Sequence, residues 1–171
     1  MVGDDADDRR QGFRLFREGN ADEQRIKLNV GTGDGESWND GGVIDVNAGE
    51  WVHIAISISG TKSTIYFNGM ETLSADLAAP IDWTNCEVMT IGAGGPTFDY
   101  WNHKSDSSDM DELRIFNKAL SQTDIQIILN AVNPYIPKFP GESLYMPFEG
   151  DYIDLVGSKV AQQVGSTGFT N

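Results

Sequence analysis

Short runs in which apolar and polar side chains alternate one for one constrain this chain more than any other feature. Gly12-Phe13-Arg14-Leu15-Phe16-Arg17 and Gln24-Arg25-Ile26-Lys27-Leu28-Asn29-Val30 both follow this pattern. Successive side chains of a strand point to opposite faces, so a period of two marks a strand with one face buried. Trp51-Val52-His53-Ile54-Ala55-Ile56-Ser57-Ile58 is strand-like, Ser59 to Lys62 is a turn, and Ser63-Thr64-Ile65-Tyr66-Phe67 is the return strand of a hairpin. Asn68-Gly69 then supplies a second tight turn, because both residues tolerate positive φ, and Met70 to Leu73 continues as a strand. Glu87-Val88-Met89-Thr90-Ile91-Gly92, Met110 to Asn117 and Leu144 to Phe148 are further strand-like pieces.

The connections carry turn chemistry. Gly31 to Gly42 is rich in Gly, Asp and Asn and reads as a long loop, and so does the stretch from Ala93 to Asp109. One helix is expected near 121–130. Ser121 is an N-cap residue with Asp124 three positions on, Ile125, Ile128 and Leu129 share a face, and Pro134 and Pro137 prevent continuation. Many short alternating strands with one short helix and no βαβ rhythm predict an all-β, antiparallel two-sheet sandwich of jelly-roll type. Gly92-Ala93-Gly94-Gly95 is no dinucleotide fingerprint, since no helix follows it.

Charge limits the partners. The formal net charge is −14, which disfavours nucleic acid and anionic membranes, since both are polyanions. It suits a surface module, a cation binder or a binder of neutral ligands such as glycans. No apolar run approaches the about 20 residues that span a bilayer, so no membrane insertion is expected. Residues 1–10 are polar and lack the apolar core of a signal peptide, so the signal of an exported parent would lie outside this chain. Cys86 is the single cysteine and excludes an intrachain disulfide, so the fold rests on its core. Neither His53 nor His103 stands in a motif that would make Cys86 a nucleophile.

Four motifs in order carry a family resemblance. They are Gly49-Glu50-Trp51-Val52-His53-Ile54-Ala55, then Ser63-Thr64-Ile65-Tyr66-Phe67-Asn68-Gly69, then Met89-Thr90-Ile91-Gly92, then Met110-Asp111-Glu112-Leu113-Arg114-Ile115-Phe116-Asn117-Lys118-Ala119-Leu120-Ser121. Across residues 49–129 the chain resembles the laminin-G-like, concanavalin A-like lectin/glucanase superfamily. Trp51 is expected as a large apolar anchor at a strand start, and Trp83, between strands, as core. In the closing strand Leu113, Ile115 and Met110 are expected on one side, Glu112 and Arg114 on the other.

The order of segments departs from the family pattern. The segment resembling the family's opening strand, Tyr145-Met146-Pro147-Phe148-Glu149-Gly150-Asp151-Tyr152-Ile153-Asp154-Leu155-Val156-Gly157, comes last. The expected division is therefore a sandwich at 1–132 lacking its usual opening strand, a Pro-rich connector at 133–143, and an opening-strand segment at 144–171. That last segment either completes the sandwich in cis or begins a tandem repeat. Left unpaired, it would insert into a neighbour or a domain-swapped dimer.

The resemblance implies a structural Ca²⁺, for which Asp111, Asp151 and Asp154 are the expected ligands, with Glu149, Asp106 and Asp109 nearby. Glu112 is expected to pair with Arg114 or another surface charge. A glycan site needs exposed aromatic rings beside hydrogen-bonding groups. Tyr100, Trp101 and His103 offer one such set in a loop, and Trp38 with Asn39 and Asp40 offers a second. The jelly-roll hydrolases that this fold resembles carry close carboxylate motifs on one strand, and none is present, so the chain is expected not to be an enzyme. The expected function is a non-catalytic carbohydrate-binding or adhesion module of an extracellular or cell-surface protein, including bacterial outer surfaces. Its partner would be a glycan or a surface protein, and the alternative is a structural spacer.

Overall fold

The computed structural model describes residues 9–19, 23–44, 49–92, 108–131, 139–148, 150–159 and 161–163. It contains β1 (Phe13–Gly19), β2 (Gln24–Gly31), β3 (Glu36–Asn39), β4 (Val43–Ile44), β5 (Ile54–Ile58), β6 (Lys62–Phe67), β7 (Met70–Asp76), β8 (Leu113–Phe116), α1 (Gln122–Leu129) and β9 (Glu142–Met146). Every ladder is antiparallel. The chain divides into two compact units, one of residues 1–106 and 121–129 and one of residues 107–120 and 130–171.

The first unit holds two sheets, β1-β2-β3 with β4 beside β2, and β5-β6-β7. The alternation decides what meets between them. Phe13 pairs with Val30 and Leu15 with Leu28, so these four side chains share one face. Ile56 pairs with Ile65, and Ile54 with Phe67. Leu28, Val30, Ile65 and Leu77 form the buried cluster, with Phe13, Leu15, Ile56, Ile58, Phe67 and Ile81 packed against it. The two sheets are thus the layers of the expected sandwich.

The second turn behaves as its residues demand. Asn68 and Gly69 have φ of 48° and 76°, and Phe67 pairs with Met70 directly across them. Positive φ at both central residues is the requirement of a type I′ hairpin turn. The Asn68 carboxamide oxygen also accepts the His53 N–H at 3.0 Å, which ties the turn to the residue entering β5. α1 lies on this hairpin. Gln126 Nε2 donates to the Gly69 carbonyl at 3.2 Å, Gln122 Oε1 accepts the Glu71 N–H at 3.2 Å, and Ile125 is buried. Its start is a reciprocal capping box. Asp124 accepts from the Ser121 N–H at 3.0 Å and from its hydroxyl at 2.6 Å, while Ser121 Oγ accepts the Asp124 N–H at 3.2 Å.

Several expectations are corrected. The stretch from Gly31 to Gly42 contains β3, because Ser37 and Asn39 point inward as polar residues and leave no apolar alternation to read. Residues 87–92 contribute an isolated bridge at Met89 and no strand, and Val88 is exposed. Trp51 is 68% exposed, since β5 begins three residues later and Ile56, Ile58 and Phe67 occupy the core. Trp83 is 52% exposed, meeting Phe13 only edge-on at 6.1 Å. Met110 is exposed and lies ahead of β8.

In the second unit β8 pairs with β9, Leu113 opposite Met146 and Ile115 opposite Leu144. The segment resembling an opening strand therefore lies beside the closing strand. β9 starts at Glu142, inside the expected connector. Truncating a buried aliphatic side chain costs about 2–5 kcal/mol through lost transfer energy and the cavity left behind. Leu28→Ala and Ile65→Ala, at fully buried positions, are expected to lower unfolding free energy by that amount, and urea denaturation reads it directly. Val43→Ala, at an exposed position, is expected to change it by less than about 0.5 kcal/mol.

Candidate functional site

The register that builds the core also builds the opposite face of the β1-β2-β3 sheet. Phe16 pairs with Lys27, Arg14 with Asn29, and Asn29 with Trp38, so these side chains share that face. Trp38 is 40% exposed, and its indole meets the buried Phe16 ring edge-on at 6.0 Å. Edge-to-face packing fixes the ring plane. Lys27 Nζ bridges two carboxylates, Glu18 at 2.7 Å and Asp40 at 3.2 Å. The Glu18 bond, opposed by desolvation and reinforced by Asp40, holds the Lys27 ammonium above its ordinary range. Asn29, buried, accepts from Arg14 Nη1 at 3.1 Å and donates to Glu36 at 2.8 Å, and Glu36 also pairs with Arg9 at 3.0 Å. The face therefore combines a supported aromatic platform with neutralised donors and acceptors.

Asn39 has a different role from the one expected. It is 1% exposed, and its Nδ2 reaches the Ser63 carbonyl at 3.0 Å, the Ser63 hydroxyl at 3.3 Å and the Leu73 carbonyl at 3.2 Å. Its Oδ1 accepts the Gly41 N–H at 3.0 Å. With its amide so committed, Asn39 is a bridge between the two sheets and no ligand contact. Alternation along β3 explains the difference, since Trp38 faces out where Asn39 faces in. Asp40 was expected beside Trp38 from its place in sequence, whereas Lys27 and Glu18 were missed because their place on this face depends on the strand register. Tyr100, Trp101 and His103 lie outside the described residues.

The expected calcium ligands do not come together. Asp111 Oδ1 accepts the Glu112 N–H at 2.9 Å, and Asp151 Oδ1 accepts the Ile153 N–H at 3.0 Å, each on its own exposed segment. Asp154 is 6% exposed. Its Oδ1 accepts from the backbone of Tyr145, Val156 and Gly157, each at 3.0 Å, and its Oδ2 from Gly157 at 3.0 Å and Lys159 at 2.9 Å. Two carboxylate oxygens offer about four lone-pair sites, and these are occupied. Among the described residues no group of three His, Cys, Asp or Glu side chains is placed to hold a metal. The arrangement does not fit calcium at Asp154. Burial pushes its carboxyl up, but the N–H bonds from Gly157, Tyr145, Lys159 and Val156 outweigh this and hold it at about 2.

A second polar cluster joins β8 to β9. Arg114 Nη1 meets the fully buried Glu142 at 2.8 Å, and Nη2 meets Glu112 at 3.1 Å. Glu112 also accepts from the Tyr145 hydroxyl at 2.8 Å, and the guanidinium lies 3.6 Å from the Tyr145 ring centre. Glu112 reaches both partners from a left-handed backbone, φ 56°. Burial, and then the bond to Glu112, push the Tyr145 phenol up. Arg114 is thus tied to a buried acid as well as to Glu112, a stronger linkage than a surface pair.

Two measurements follow. Asn39→Ala removes the buried carboxamide that bonds the Ser63 and Leu73 carbonyls and the Gly41 N–H, and is expected to cost about 1–3 kcal/mol in chemical denaturation. The folded-state carboxyl of Asp154 lies below its reference of 3.8, so its contribution is complete above that pH and lost as pH falls through about 2. The melting-temperature gap between the native chain and Asp154→Asn is expected to be constant near neutrality and to shrink over that acid range.

A laminin G-type family model, described as the concanavalin A-like lectin/glucanases superfamily, matches residues 2–126. No curated protein matches the chain. A crystal structure of an S-layer domain-containing protein (residues 221–444) from Clostridium thermocellum ATCC 27405 is similar, with 19% identity and a TM-score of 0.40. That match covers 70% of this chain and 64% of the other. The family match spans most of the chain, and its β8 lies inside the matched stretch while β9 lies beyond it. The chain belongs to the concanavalin A-like lectin/glucanases superfamily.

Proposed function

We propose that this chain is a non-catalytic carbohydrate-binding or adhesion module of a larger extracellular or cell-surface protein. The observation that carries this reading is Trp38, exposed on a sheet face and braced by Phe16. A sugar ring presents axial C–H groups that stack on an indole, while its hydroxyls need donors and acceptors around the rim. Lys27, Glu18 and Asp40 supply those beside Trp38. The net charge of −14 favours a neutral ligand over a polyanion. Tyr100, Trp101 and His103 form the second aromatic-polar set of this proposal.

The carboxylates support binding over hydrolysis. Glycoside hydrolysis needs one acid kept protonated near neutral pH. Glu18 and Asp40 are both engaged by the Lys27 ammonium, at 2.7 Å and 3.2 Å. Asp82 is held below the usual range by the Thr84 hydroxyl and N–H, and Asp154 is also lowered. The β8–β9 ladder pairs the late segment with the strand that closes the family pattern, which supports counting those two segments together.

A glycan array followed by titration tests the reading. Trp38→Ala is expected to lower affinity at least about tenfold, roughly 1.4 kcal/mol, with the melting temperature held. Trp51→Ala, which removes an exposed tryptophan that precedes β5 and is not part of the β1-β2-β3 sheet, is expected to leave affinity unchanged. A native chain that binds no glycan on the array would instead favour a structural spacer. Sugar release that depends on an acid pair would make the chain an enzyme.

A further inference from the structure

We infer that Asp154 is a backbone staple that takes the place of a metal, so that residues 150–159 fold onto β9 without calcium. The geometry points to this at three levels. First, the donors come from both sides of the join, since Tyr145 belongs to β9 whereas Val156, Gly157 and Lys159 belong to the returning loop. One carboxylate therefore does what a cation bridging several carbonyls does elsewhere, with the signs reversed, and converging N–H groups make an anion site. A Ca²⁺ ion binding here would face five inward N–H contacts and would have to displace them.

Second, the loop is held at a distance only one residue type allows. A Cβ at position 157 would lie 2.2 Å from the Ser143 carbonyl oxygen and 2.7 Å from Asp154 Oδ2. Glycine there lets the backbone approach both the strand and the carboxylate, which gives a physical reason for the Asp154-Leu155-Val156-Gly157 spacing. The Leu155 N–H, donating to the Tyr145 carbonyl at 2.9 Å, extends the same contact by one more bond. Third, the other acids of the expected metal set stand on exposed segments of their own, Asp151 accepting the Ile153 N–H and Asp111 the Glu112 N–H, and among the described residues they form no group with Asp154 that could hold a metal.

The test uses the full chain, labelled with ¹⁵N and titrated with calcium chloride alone, beside thermal melts in calcium and in EDTA. The amide resonances of Tyr145, Val156, Gly157 and Lys159 are expected to stay in place across the titration. The melting temperature is expected to be the same in calcium as in chelator. Asp154→Asn, which puts an amide where two N–H groups converge, is expected to lower it by about 5 °C or more under both conditions. Gly157→Ala, which keeps the carboxylate but pushes the loop away, is expected to lower it likewise. Calcium-dependent movement of those four amides would overturn the inference, as would a calcium-dependent rise in melting temperature that Asp154→Asn abolishes. Neither result bears on Trp38, so this inference and the glycan reading fail independently.

Discussion

The first unit depends on the meeting of two antiparallel sheets whose inward faces exclude water while their polar atoms stay paired. Leu28, Val30, Ile65 and Leu77 supply the apolar part. Asn39 supplies the polar part, bonding Ser63 and Leu73 from the facing sheet and Gly41 beside it. A buried amide without partners costs free energy, but a fully bonded one penalises alternatives. A one-residue slip of β3 would bring Trp38 into the interior and expose Asn39. The same register that closes the core thus displays the indole beside Lys27, and site and fold share one constraint.

The legible parts of this fold were those where a residue type has one physical use. Ser121 with Asp124 predicts a helix start, and the reciprocal bonds are present. Asn68-Gly69 predicts a tight turn, and both residues take positive φ. The alternation in β1, β2, β5 and β6 predicts strands because apolar side chains mark the inward face. β3 escaped the same reasoning because its inward residues are Ser37 and Asn39, whose burial depends on partners over 20 residues away in sequence. Trp51 and Trp83 misled for the opposite reason, as size alone suggests burial and the core was already filled by aliphatic side chains.

The acidic residues show where sequence reasoning stops. Asp111, Asp151 and Asp154 look alike as letters, yet one is buried among backbone N–H groups and the other two each accept a local N–H at an exposed position. Oxygen ligands for a cation and oxygen acceptors for amides have the same composition and differ only in what converges on them. Glu142 was hidden in a proline-rich stretch, although it is the fully buried partner of Arg114. Of the proposed glycan-binding set, Trp38 and Asp40 could be named from their neighbourhood in sequence. Lys27 and Glu18 required the cross-strand register.

The most direct test of the shared register is a methyl and side-chain amide NOESY experiment on the full chain. The two-sheet arrangement predicts contacts between Leu28 and Ile65 methyl groups and between the Asn39 carboxamide and Ser63, with the Trp38 indole contacting Phe16. Contacts from the Trp38 indole to Ile65, together with an Asn39 carboxamide exchanging freely with water, would contradict it.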